Sequence, residues 1–110
     1  MKGGNMQIQQ GDVTLEKIKS LPDGVKLVNP RSRGIVLAEG EHTGHAHCIT
    51  KHKDIAWMYE KEGVLYVKAL DTVTIEHEEH KPVTVPAGVW KIGIVREFDH
   101  FAQMERQVRD

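Results

Sequence analysis

The chain has 110 residues, with 15 lysines and arginines against 16 aspartates and glutamates, a formal net charge of −1. That length suits one compact domain with one modest core. The near balance of charge argues against a nucleic-acid partner, which would call for a basic excess. The one cysteine, Cys48, excludes an internal disulfide and suits a reducing compartment. No apolar run approaches the ~18 residues of a membrane span, and "MKGGNMQIQQGD" has no apolar stretch like that of a signal peptide. The expected setting is therefore cytoplasmic, with no membrane partner.

Residues 1–8 are expected to form a flexible N-terminal extension, and 9–110 a single β domain. "GDVTLEKI" (11–18) alternates Val13 and Leu15 with polar residues, as a half-buried strand does. "LPDG" (21–24) is a turn, because Pro presets φ and Asp-Gly tolerates positive φ. "VKLV" (25–28) reads as a short strand, "NPRSRG" (29–34) as a loop and "IVLAEG" (35–40) as an apolar strand. "HAHCITK" (45–51) places His45, His47 and Ile49 on one face and Ala46, Cys48 and Thr50 on the other. "DIAWMYEKEGVLYVKAL" (54–70) reads as a hairpin turning at "EKEG". "DTVTIEH" (71–77) aligns Val73, Ile75 and His77; "EEHK" turns; "PVTVPAG" and "VWKIGIVREF" are further strands, and "AQMERQVRD" is a terminal helical turn or a tail. About eight short strands with turns roughly every ten residues indicate an all-β fold, a small barrel or a sandwich.

Four of the seven histidines fall within "GEHTGHAHCITKH" (40–52). Residues i and i+2 of a strand project the same way, under ~7 Å apart, so His45 and His47 can converge on one ion. The face they share with Ile49 is the apolar one. Two buried imidazoles without partners would be costly there, and a metal would satisfy one nitrogen on each. The second cluster, "EHEEH" (76–80), is neither the zinc-protease helix motif nor the di-iron Glu-x-x-His motif. It offers a strand-end His77 and a turn residue His80, either or both of which can complete a site begun by His45 and His47. Imidazole-rich, thiol-poor ligation suits zinc first, then iron, nickel or copper. Cys48 faces away from His47 and is not counted as a ligand. His42 is a turn residue, and His52 is assigned to solvent. With three protein ligands one position stays open for water, whose pKa a zinc ion brings down to about 7. Glu41, Glu78 or Glu79 could then serve as base, with Glu41 and Glu79 as the principal catalytic candidates. Trp57, Tyr59 and Trp90 are core or pocket-wall candidates, and six aromatics make a base-stacking surface improbable.

Two resemblances follow from these motifs. "QQGDVTL", "LAEGEHTGHAH", "EHEEHKPVTVPAGVWKI" and "VREFD…VRD" together resemble a family of small uncharacterised proteins of bacteriophages and bacteria, over about Gln9 to Asp110. The matching histidines are His45, His47, His77 and His80. This resemblance implies a site and no reaction, and the cytoplasm of a bacterial or phage-infected cell. More loosely, "GEHTGHAH" and "VPAGVWK" resemble the cupin motifs, with Lys91 where cupins place their final histidine. That implies a double-stranded β-helix in which His77 or His80 replaces the lost ligand. The expectation is thus an all-β metal-binding protein acting as a metal-dependent hydrolase on a small-molecule substrate. The alternatives are a structural or interaction protein of phage-accessory type stapled by a metal, and a cupin-like small-molecule-binding module lined by Trp57, Tyr59 and Trp90. Exposed strands allow a homo-oligomer.

Overall fold

The computed structural model describes residues 6–40 and 43–95. Glu41, His42, the Arg96-Glu97 pair and the "AQMERQVRD" tail lie outside the described residues. Among the described residues the fold is all-β, without a helix, so none is long and apolar enough to cross a membrane.

Ten strands follow in chain order: β1 (Gln7–Gln10), β2 (Val13–Ile18), β3 (Lys26–Val28), β4 (Ile35–Glu39), β5 (Ala46–Ile49), β6 (Ala56–Lys61), β7 (Val64–Ala69), β8 (Val73–Ile75), β9 (Val83–Val85) and β10 (Gly88–Ile94). Nine occupy segments that the sequence reads as strands. The exception, β1, begins two residues ahead of Gln9, the expected domain start. "QIQQ" offers one apolar residue. It is a strand because β2 supplies the partner, with Ile8 opposite Leu15.

Six strands form one antiparallel sheet in the order β1-β2-β10-β7-β6-β3. A second layer consists of two hairpins, β4-β5 and β8-β9. They are joined by a single bridge in which Cys48 N–H donates to Glu76 O at 2.9 Å and Glu76 N–H to Cys48 O at 2.7 Å. The layers share one core. Val13, Leu15, Met58, Val67, Trp90 and Ile92 come from the large sheet, and Ile35, Leu37, Ile49, Val73, Ile75 and Val85 from the hairpins. Neither sheet closes on itself, so the arrangement is sandwich-like and not the closed barrel that was the other expectation.

Trp90 is fully buried, and its Nε1–H donates to Pro86 O at 3.0 Å. Register pairs Trp90 with Val67 and Val67 with Met58, all facing the core, so Trp57 and Tyr59 point to the opposite face of the sheet. The three aromatics therefore do not line one pocket: Trp90 is core, and its indole N–H is spent on a carbonyl.

Candidate metal centre

The Cys48–Glu76 bridge sets the geometry of the site. Continuing its antiparallel register places His47 opposite His77, Ala46 opposite Glu78 and His45 opposite Glu79. The contacts follow that pairing. The His47 and His77 ring centroids are 4.3 Å apart, Ala46 N–H donates to Glu78 Oε1 at 3.0 Å, and His45 Nδ1 lies 3.7 Å from Glu79 Oε1. His80 folds back over the turn, its ring centroid 4.6 Å from that of His77 and 5.7 Å from that of His47. His45 stands 5.7 Å from His77. The two histidine clusters of the sequence thus meet at one place.

One nitrogen each from His47, His77 and His80 lie within 4.8 Å of one another. Imidazoles that close can be drawn onto one ion by small side-chain shifts, since donors around zinc at about 2.0–2.1 Å sit roughly 3.4 Å apart. His45, His77 and a Glu78 oxygen make a second such group, but Glu78 is already engaged. Its Oε1 takes the Ala46 amide and its Oε2 the Arg33 guanidinium, while Arg33 Nη1 donates to Gly44 O at 2.7 Å. The Ala46 amide first, with the Glu78 amide and Arg33, holds the Glu78 carboxyl down at about 2. Glu78 is therefore a clamp that fastens the 76–80 turn to the start of β5, and too weak a base to take a proton from water near neutral pH. Among the described carboxylates expected to act as base, Glu79 remains. It is exposed, on the cavity wall and beside His45.

His47 is the most enclosed of the four at 5% exposure. The β4–β5 ladder slips between Val36 and Ala38, and this bulge sets Ala38 opposite His47, a small residue beside the ring. His47 Nδ1 is 2.7 Å from Gln10 Oε1, and its Nε2 is 3.4 Å from Asp12 Oδ1. Burial first, then the neighbouring His77 and His80, lower the pKa of this imidazole, with Asp12 pulling the other way. His77 Nδ1 accepts the Glu79 amide at 3.0 Å, so its Nε2 carries the proton in the neutral ring. Ligation through His77 Nε2 requires that this local bond open.

Gln10 and Asp12 flank Gly11 in the β1–β2 turn. Gly11 has φ +59°, and a Cβ there would stand 2.6 Å from His80 Nε2, so only glycine lets the turn press against that ring. Neither Gln10 nor Asp12 belongs to a motif that marks it as part of the site in the sequence. The nearest signal is "QQGD", where a Gly-Asp turn follows an amide side chain; nothing local ties it to a histidine 37 residues away.

A cavity of about 410 Å³ opens over the cluster, lined by Asp12, Ala38, Thr43, His45, His47, His77, Glu79 and His80 among others. A second, of about 510 Å³, lies on the outer side of the β5–β8 seam, over Ala46 and Cys48, with Arg31, Arg33, Glu76 and Glu78 at its rim. His77 borders both. Cys48 packs with Val36 and Ala46 away from the histidines, and burial pushes its thiol pKa up, the opposite of an activated thiol. His52 is half-buried and lines the second cavity.

A family model described as a domain of unknown function (DUF8820) matches residues 9–95. No curated protein and no solved structure matches the chain.

Proposed function

The chain belongs to the DUF8820 family, a domain of unknown function, and from its site we propose that it binds a divalent transition metal, zinc in the first instance, through His47, His77 and His80, with His45 beside them. One observation carries this: three ring nitrogens from two sequence clusters, brought within 4.8 Å of one another by a single backbone bridge. The opposition of His47 Nε2 and Asp12 Oδ1 at 3.4 Å adds to it. In the neutral ring both atoms are acceptors, and a cation satisfies both at once. The soft-donor-poor, imidazole-rich set favours zinc, with iron, nickel and copper as the competing ions.

The cavity over the histidines supports a catalytic use of the ion over a purely structural one. A three-histidine centre leaves a coordination position open for water, and Glu79 stands on the cavity wall as the base for hydrolysis of a small-molecule substrate. A metal that only staples the hairpin layer needs no such opening.

Elemental analysis of the purified protein tests the proposal, together with anomalous scattering at the metal edge. The expected result is about one metal ion per chain, lost in His47→Ala and His80→Ala and retained in His52→Ala. A protein that takes up no zinc, iron, nickel or copper sinks it. An ion with four protein ligands and no water would leave the metal in place and remove the hydrolase.

A further inference from the structure

We propose that Gln10 is a positioning residue for this centre: it holds the His47 proton on Nδ1, so that Nε2 is the coordinating nitrogen before any ion arrives. The functional meaning rests on the metal reading above, but the geometry stands without it.

Gln10 is 3% exposed and enclosed by other parts of the chain. Its Nε2 donates to two carbonyl oxygens, Ile75 O at 3.0 Å and Lys81 O at 2.9 Å. Both amide hydrogens are thereby spent. Reversing the amide would set Oε1 against those two carbonyls, three acceptors together in a buried space, at the cost of two hydrogen bonds. The orientation of the amide is thus decided by its surroundings, and Oε1 is the atom it offers His47. An oxygen 2.7 Å from Nδ1 can only accept, so Nδ1 carries the hydrogen. In the neutral ring Nε2 is then the lone pair, and it points to the side where Asp12 stands.

The neighbouring ring shows that this is a local choice. His77 accepts the Glu79 amide on Nδ1 and holds the opposite tautomer. Of the two, the deeply buried ring is the one preset by a side chain whose own bonds reach β8 and the residue after His80. Gln10 therefore joins the three segments that carry the centre, the β1–β2 turn, β5 and the 75–81 stretch, through one amide. Partners that fix ligand tautomer and direction in this way commonly account for about 10- to 100-fold in metal affinity.

Nitrogen-15 NMR of the imidazoles in metal-free protein, at alkaline pH and with His47→Ala for assignment, reads the tautomer directly. His47 is expected as Nδ1–H and His77 as Nε2–H. Gln10→Leu should release His47 to the Nε2–H form and weaken zinc binding by about 10- to 100-fold. Gln10→Glu keeps an acceptor for Nδ1–H and should keep the tautomer, although its second oxygen faces two carbonyls and lowers the melting temperature. Should Gln10→Leu fail to fold, the wild-type and Gln10→Glu spectra decide. An Nε2–H signal from wild-type His47, loss of Nδ1–H in folded Gln10→Glu, or a folded Gln10→Leu with unchanged tautomer and zinc affinity each overturns the assignment. Wild-type protein with the expected tautomer that takes up no zinc would defeat the metal reading and leave the role of Gln10 intact.

Discussion

Strands β2, β6, β7 and β10 run six or seven residues each and pair along nearly their whole length, whereas β8 and β9 have three residues each, and their hairpin joins β5 through one bridge, at Glu76 just after β8. The histidines of the candidate centre all belong to the second, short-stranded layer and its loops. The long ladders hold together by repetition: backbone pairs, alternating apolar side chains and a buried tryptophan. The hairpin layer has few ladder bonds to spend, and particular side chains fasten it instead, with Glu78 clamping the 76–80 turn to Ala46 and Gln10 tying Ile75 and Lys81 to His47. A region held by a few directed polar contacts can place donors accurately, and it can be loosened by changing one of them.

The contrast is broken most severely from the large sheet. Trp90→Ala removes a fully buried indole and should cost about 3–5 kcal/mol in urea unfolding, with the whole molecule affected. A loss below about 1 kcal/mol, the range of an ordinary substitution, would mean that the common core does not depend on this sheet. Metal removal should act on the other layer. A chelator that strips zinc held at 100 times its Kd withdraws about 2.7 kcal/mol. Hydrogen exchange should then quicken in β5, β8 and residues 76–80 more than in β2 and β10; uniform quickening would erase the distinction between the layers.

The smallest effect sharpens the role of the clamp. The Glu78 carboxyl is held at about 2 in the fold against an ordinary 4.5. A depressed folded-state pKa contributes stability that is complete above 4.5 and is lost as pH falls toward 2. Glu78→Gln, which keeps an acceptor for Ala46 N–H but loses the charge facing Arg33, should lower stability modestly near neutrality and flatten that acid limb, so that the stability–pH profiles of variant and wild type converge as pH falls toward 2. An unchanged limb would mean that Glu78 is not the group being titrated.

Much of this was legible in the sequence because period-two alternation reports directly on the pleat. His45, His47 and Ile49 on one face, and Val73, Ile75 and His77 on another, already place both clusters inward; the structure adds the register that sets those two faces side by side. That register rests on a pair of backbone hydrogen bonds between Cys48 and Glu76, which no side-chain pattern announces. Gln10 was illegible for a related reason. Its partners lie 37, 65 and 71 residues away, and an amide in "QIQQ" looks like a solvated surface until the fold buries it. Glu78 reads in the sequence as a free carboxylate next to a histidine and so as a candidate base, while Arg33 and the Ala46 amide, which engage its two oxygens, reach it only through tertiary structure.

His77 borders both cavities, one over the histidines and one over Cys48. A single imidazole is therefore shared by two cavities of different chemistry, one imidazole-rich and one lined by guanidinium and carboxylate groups. A ligand in the outer cavity that turned that ring would change the donor set proposed for the metal, and by linkage an ion that drew the ring inward would change the affinity of the outer cavity by the same factor.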